Sequence, residues 1–575
     1  MKFMFLAAGL NWWAGKWTRI MLRKYAESKA YPYIIDSLIF IVLVAFAFAI
    51  YFPSIKGPFI FDDKPNILYS PAVQMTEFSF STIKKAAFEG TTSSRPVVNI
   101  SFALNYFAGR DDVSGYHVVN IFIHALTGFF LYLFFRVTIQ IIKRSRDESF
   151  PSYLPFVAAL LWFVHPVQSQ SVAYIVQRMN SMSAMFYLLS MLLYVHGRLT
   201  TRQRKRAMLF AGSTVSALLA FASKENAATL PLFVFLYEWY FFQNLKVGWL
   251  KSRWLYISGA VGSFLALAIV FLGSNPIGRI MSSYQGRDFT LGQRLLTELR
   301  VVFIYLGKLL FPHPDRLGLE HDIPLSYFLL LPLTTFISAV FLAALVGLAI
   351  WLAKRHRLLS FAILWYLGNL IIESSFIGLE IIFEHRNYLP SMFLALSLVV
   401  FGEKLIKSAR VKLVLAVIIL IFCSLWSNER SRVWADEEIL LRDCIKKAPN
   451  KHRMYTNLGN ALSRKGKYGE GENAFYQALR IEPFDSKAYI GLGNNSFNQQ
   501  NYNEAVSHYR RGLLYAKSPG DIFQLRYGLG IINQEIGRFQ EAMRHYTVAL
   551  RIRPDYQPVR YSINELRNKA EKQKK

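Results

Sequence analysis

Stretches of about twenty almost uncharged residues recur from Tyr33 to about Ser427, and nothing else in the chain restricts its fold so much. Twenty apolar residues in a helix match the thickness of a bilayer's hydrocarbon core. With 53% hydrophobic and only 18% charged residues over 575 positions, this is a polytopic membrane protein with a further domain, not one soluble body. The net charge of +29 would suit a nucleic-acid binder, but Lys and Arg gather at the ends of the apolar runs, as membrane topology requires. Nucleic acid is therefore not an expected partner. Cys423 lies in an apolar run and Cys444 beyond it, so two cysteines supply neither a disulfide framework nor a metal pair. The first run is followed by no small-residue cleavage site, so it is expected to stay as an anchor.

Basic residues set the orientation. Residues 1–30 carry Lys16, Arg19, Arg23, Lys24 and Lys29 around three tryptophans, which reads as a cytoplasmic interfacial segment. Spans are expected at about 33–52, 116–136, 153–164, 181–197, 207–222, 228–242, 254–273, 327–353, 359–377, 388–403 and 411–427. Every expected inward end is basic. The stretch 295–311 carries Glu298, Arg300 and Lys308 and breaks the alternation, so 274–326 is expected to stay outside, with that helix on or dipping into the membrane. Eleven crossings then leave the tail on the same side as Asp62, the extracytoplasmic side.

From about Asn428 the chain turns polar and periodic. Leu458-Gly459, Leu492-Gly493 and Leu529-Gly530 recur with Phe475, Tyr509 and Tyr546, at steps of 34 and 37 residues. That is the tetratricopeptide pattern, with repeats expected at about 452–485, 486–519 and 523–556 after a degenerate half-repeat at 430–449. The expected division is 1–427 for the membrane domain and 428–575 for the repeats. Asn457, Asn460 and Asn494 fall near an expected concave face and are candidates for binding a protein partner. Beyond Asn428 there are 26 Lys and Arg against 16 Asp and Glu, which suits acidic partners or lipid head groups, although a solvated basic surface is the more frequent explanation.

A charge in or beside a bilayer costs several kcal/mol, so polar groups there are candidates for function. Asp62, Asp63, Arg95, His117, His165, Gln168, Arg178, Lys224, Glu225, Glu384, His385 and Arg386 all fall at expected outer span ends. Each has an ordinary reading: an Asp-Asp loop, a satisfied interior histidine at His117 or His124, a helix start at Arg95-Pro96, a local ion pair at Lys224-Glu225. Together they suit a cleft that takes an anionic phosphate head group from lipid on guanidinium forks. A carboxylate opposite can deprotonate an attacking hydroxyl, and the cations can stabilise the leaving phosphate. There is no glycine-rich phosphate loop, no GxSxG and no HExxH. Two acids are too few to claim a metal site, and no cofactor is expected.

Phe59-Ile60-Phe61-Asp62-Asp63, Ser94-Arg95-Pro96-Val97-Val98-Asn99, Gly115-Tyr116-His117-Val118-Val119-Asn120 with His124, His165-Pro166-Val167-Gln168 with Arg178, Lys224-Glu225 and Glu384-His385-Arg386-Asn387-Tyr388-Leu389-Pro390 follow one another in order. This series resembles the transmembrane-and-tetratricopeptide-repeat O-mannosyltransferase-like proteins and their bacterial relatives, over about 30–560. The resemblance implies an all-α GT-C-type membrane domain, a polyprenyl-phosphate sugar donor, inverting transfer and a catalytic aspartate in the first outer loop. Asp62 is then the expected base and Asp63 the runner-up. Arg95, Arg178, Lys224 and Arg386 are expected on the donor phosphate, with His117, His165, Glu225, Glu384 and His385 orienting them. About three repeats, where animal members have many more, point to a bacterial inner-membrane version whose acceptor is a protein or a glycan. Two rival readings are a non-catalytic membrane scaffold that assembles an envelope complex through its repeats, and a transporter of lipid-linked sugar.

Overall fold

The computed structural model describes residues 31–146, 149–272 and 275–574; the basic segment 1–30 lies outside the described residues. Every regular element is helical, and among the described residues there is no β-strand. The chain divides into two compact units. One comprises residues up to Leu317 together with Leu325–Arg432, and the other comprises Gly318–Pro324 with Val433–Lys575.

In the first unit a helix overlaps each expected apolar run, from Tyr31–Tyr51 to Ala409–Val433, although Arg357–Leu370 ends well before the expected 377 and Leu333–Leu352 begins after the expected 327. Among the described residues four stretches are long and apolar enough to cross a membrane by themselves: Tyr33–Lys56, Val113–Ser145, Leu333–Leu352 and Ala409–Val433. Others are short, such as Leu154–Phe163, or broken by tight turns, so the count of eleven crossings is not established by helix length. Many of the helices meet in one aromatic core, where Phe134, Phe233, Tyr237, Phe361, Trp365 and Phe393 are all buried. Each such side chain contributes about 1.5–3 kcal/mol relative to exposure in water, a reference that bilayer lipid weakens. Close approach needs small residues: a Cβ on Gly368 would stand 2.6 Å from the Phe233 ring, and one on Gly128 2.6 Å from Phe163. His124 is a satisfied core histidine, with Nδ1 2.7 Å from the Tyr388 hydroxyl and Nε2 3.1 Å from the Phe163 carbonyl.

The stretch that broke the alternation is a helix, Leu291–Leu310, opened by a Thr290–Gln293 capping box. Its buried positions, Arg294, Thr297, Glu298, Val301, Val302, Tyr305 and Lys308, recur every three or four residues and form one face. Charges therefore sit on the inward side of this helix.

The second unit stacks paired helices: His452–Arg464 with Tyr468–Ile481, Ser486–Asn498 with Tyr502–Tyr515, and Pro519–Glu535 with Phe539–Ile552. Glu437–Lys447 precedes them, capped by the Asp436 carboxylate, and Gln557–Lys574 closes the stack. The sequence period has a plain steric cause. Phe475 lies where a Cβ on Gly459 would come within 2.5 Å and one on Gly491 within 2.2 Å, so one ring wedges between its own repeat and the next. Tyr509 does the same between Gly493 and Gly528, at 2.4 and 2.7 Å. Asp322 accepts from the Asn450 amide at 2.5 Å, and Glu320 pairs with Arg453, which fastens Gly318–Pro324 to the first repeat.

Candidate functional site

The Asp-Asp pair is divided by its backbone. Phe61 takes a positive φ of 40°, a conformation uncommon for a bulky residue, and the chain turns sharply there. Asp62 is left exposed while Asp63 is 1% exposed. The Asp63 carboxylate accepts from the Ile60 N–H at 3.0 Å and, across 113 residues, from the Val176 N–H at 2.7 Å. Burial pushes its carboxyl up to about 8 against those two donors. Asp62 is held by its main chain: its N–H donates to the Tyr174 hydroxyl at 2.9 Å and its carbonyl accepts from the Asn66 amide at 2.8 Å. His117, 3.0 Å from the Gly57 carbonyl, anchors the start of the same loop. Asp63 fixes the loop and Asp62 is presented by it.

The residues just after Tyr174 reach Arg178's surroundings, Arg95, Lys224 and His385 in turn. Arg178 is wholly buried: Nε donates to Asn120, Nη1 to the Ser101 carbonyl and Nη2 to the Tyr116 carbonyl, with its guanidinium carbon 4.7 Å from the Phe102 ring centre. Expected on the donor phosphate, this guanidinium is instead engaged by protein oxygens on every nitrogen. Met179 touches Arg95, whose guanidinium is paired with Glu225 at 2.9 Å; Ser94 donates to the same carboxylate at 2.8 Å. Burial would raise the Glu225 carboxyl, but Arg95 overrides it and holds it below the usual range. Asn180 donates to the His385 carbonyl at 2.8 Å and accepts from the Lys224 ammonium at 3.1 Å. Segment 174–180 is thus the common neighbour of the acid loop, Arg95, Lys224 and His385.

Lys224 is buried and paired with Glu373 at 2.6 Å. Burial lowers its pKa, with Glu373 opposing the shift. His385 is also buried. Its N–H donates to Gln170 at 2.8 Å, its ring stacks on Phe383, and Nδ1 has no hydrogen-bond partner among the described residues. Burial, reinforced by Lys224, Arg386 and Arg95, drives its pKa well below the ordinary value, so the ring is neutral. Arg386 donates to the Ile381 carbonyl at 2.8 Å and lies 3.8 Å from Glu298, which pairs with Arg294 at 2.9 Å. Burial raises Glu298 to about 7 despite those two cations. Glu384 faces away from this group, to Lys308 at 2.8 Å, and His165 meets the Leu309 carbonyl at 3.0 Å, where burial lowers it to about 4. These two tie the helix Leu291–Leu310 to the loops. Gln168 is fully buried beside Ser391, 3.4 Å away.

Three partners were not singled out from sequence for these roles: Glu373, Asn180 and Tyr174. Glu373 carried a signal, a lone carboxylate at the end of an apolar run. Asn180 and Tyr174 carried none, since neither type is unusual at a helix start. Among the described residues no group of three His, Cys, Asp or Glu side chains comes together as a metal site would. In the repeat unit Asn457 and Asn460 are half-buried, and exposed Asn494 accepts from the Tyr509 hydroxyl at 2.5 Å.

The comparisons agree with the resemblance in the sequence. A family model described as tetratricopeptide repeat matches residues 452–485. Protein O-mannosyl-transferase TMTC3 of Mus musculus is 24% identical over 92% of this chain and 62% of its own length. Protein O-mannosyl-transferase Tmtc3 of Drosophila melanogaster is 24% identical over 81% of this chain and 58% of its own. Protein O-mannosyl-transferase TMTC2 of Homo sapiens is 27% identical over 41% of this chain and 28% of its own. The chain therefore spans about three-fifths of the mouse relative's length, 62%. Its relatives are O-mannosyl-transferases by name, and its tail carries the repeat.

Proposed function

We propose that this chain is a membrane glycosyltransferase that moves a sugar from a polyprenyl-phosphate carrier to a hydroxyl, a Ser or Thr of a protein acceptor, on the extracytoplasmic face. The names of its relatives support the reaction class, and mannose is the first sugar to try. The observation that carries the reading is the divided aspartate pair: Asp63 is spent on the loop, and Asp62 is exposed on it beside a segment that also holds Arg95, Lys224 and His385.

In this reading Asp62 takes the acceptor's proton as its oxygen attacks the sugar carbon. Arg95, Lys224 and Arg386 face the donor phosphate and stabilise the charge that leaves with it. Each of these cations already has an acidic neighbour, Glu225, Glu373 or Glu298, so the site is electrostatically balanced before donor arrives. Neutral His385 offers a hydrogen bond without adding positive charge. Arg178 and His117 position the walls. We read the N-terminus as cytoplasmic and Asp62 and the repeats as periplasmic in a bacterial inner membrane, because the expected inward span ends are basic. The repeats would hold the acceptor protein.

The test uses full-length protein in nanodiscs with polyprenyl-phosphate mannose and a Ser/Thr-rich acceptor. Asp62→Asn is expected to lower transfer at least about a hundredfold, the lower bound for losing a general base, with unchanged thermal unfolding. Transfer at the parent rate by that variant removes Asp62 from the chemistry. No transfer by the parent with any polyprenyl-phosphate sugar favours the scaffold reading.

A further inference from the structure

The first unit contains a cavity that the proposed base and phosphate-binding cations do not line. A groove of about 820 Å³ is walled by Leu306, Leu394, Leu398, Phe401, Ile418 and Phe422. That is the size of a ligand site, about 300–1,000 Å³. The helix Met392–Leu405 runs along it, with Ser391 lining one end and Lys404 the other, about 20 Å apart at 1.5 Å per residue. None of Asp62, Arg95, Lys224 and Arg386 lines it.

The two ends differ. Near Ser391 the lining is neutral and aromatic, with Trp162, His165 and Gln168. The lining also carries Arg355, Arg357 and Lys404 as cations, with His356 between the two arginines in sequence, and no Asp or Glu lines the groove anywhere among the described residues. Arg355 is braced over the Trp351 ring, 4.6 Å from its centre, and Arg357 donates to Asn244 at 2.7 Å. On the walls the Ser397 hydroxyl and Gln168 Oε1 are buried without a hydrogen-bond partner among the described residues; their residues are 8% and 0% exposed. A hydroxyl at Ser397, within the groove's apolar length, suits an ester carbonyl. A basic recess between apolar helices is a recurring seat for anionic lipid head groups.

We propose that the groove holds a resident anionic phospholipid, its phosphate on Arg355, Arg357 and Lys404 and its acyl chains along the Leu394–Leu398 wall. This assignment is independent of the transferase reading. It also separates the groove from the sugar carrier, whose phosphate the cations at the aspartate end would take.

Native mass spectrometry of the full chain released from nanodiscs tests it, with phosphatidylcholine alone or mixed with phosphatidylglycerol. Phosphatidylglycerol is expected to stay bound in preference to phosphatidylcholine. The triple variant Arg355→Gln, Arg357→Gln, Lys404→Gln should weaken its binding about a hundredfold, from three surface cations at about fivefold each. Leu394→Trp with Leu398→Trp, which leaves the cations in place, should fill the groove and shed the lipid. Equal retention of the two lipids, retention by the filled groove, or displacement of phosphatidylglycerol by polyprenyl phosphate would each overturn the assignment.

Discussion

Three ion pairs of the membrane unit contrast with two of the repeat unit. In the membrane unit Lys224–Glu373, Lys308–Glu384 and Arg294–Glu298 all have side chains less than 10% exposed. In the repeat unit Arg464–Glu437 and Lys465–Asp436 stand in solvent, with 55% and 42% of the basic side chains exposed. Taking two charges out of water costs more than their attraction returns unless geometry and hydrogen bonds are good. Exposed pairs cost little and contribute little. The buried pairs therefore need their good geometry and hydrogen bonds to persist, whereas the repeats draw their stability from rings wedged against glycines.

Substitutions can break that contrast, from the largest effect down. Lys224→Met leaves Glu373 buried without its partner and should cost about 3–5 kcal/mol, read by thermal unfolding in micelles. Adding Glu373→Leu should restore most of that stability while transfer stays lost; recovered transfer would make the pair merely structural. In the repeats Phe475→Ala should cost a similar or slightly smaller amount, about 3–5 kcal/mol, for a ring 0% exposed, and should leave the membrane unit's unfolding unchanged.

Asp63 gives a pH signature. Its carboxyl has an ordinary value of 3.8 and is raised to about 8 in the folded chain, so the fold binds its proton more tightly than the unfolded chain does. The stabilisation is complete below about pH 4 and disappears as pH rises through 8. Unfolding temperature should fall on that alkaline limb, and Asp63→Asn should flatten it; an unchanged limb would assign the titration elsewhere. The smallest effect belongs to Glu437→Gln, expected to cost at most about 1 kcal/mol in chemical denaturation of the full chain.

What could be read from the sequence follows from the range of the forces involved. The tetratricopeptide period was legible because Phe475 meets Gly459 and Gly491, both within sixteen residues along the chain, so the constraint repeats locally. Helix positions in the membrane unit were legible because hydropathy is a window property. Which helices cross a bilayer was less so, since Leu154–Phe163 and Leu230–Tyr237 are too short to decide by themselves. In the site, the charges were visible but their pairing was not. Arg178 looks like a phosphate ligand until Asn120, Ser101 and Tyr116 are seen around it, and those contacts span 58 to 77 residues. Asp62 and Asp63 are chemically alike in sequence; the positive φ at Phe61 makes one a surface group and the other a buried tie.

Segment 174–180 also bears on how the molecule is made. Its partners arrive from both directions, Asp62 from 112 residues upstream and His385 from 205 residues downstream. During synthesis the acid loop can dock on it early, whereas Asn180 must wait until more than half of the chain has been inserted. Shortened chains ending before His385 should therefore carry a formed aspartate loop facing an unfinished wall, a waiting intermediate that a chaperone or a degrading protease could distinguish from the completed chain.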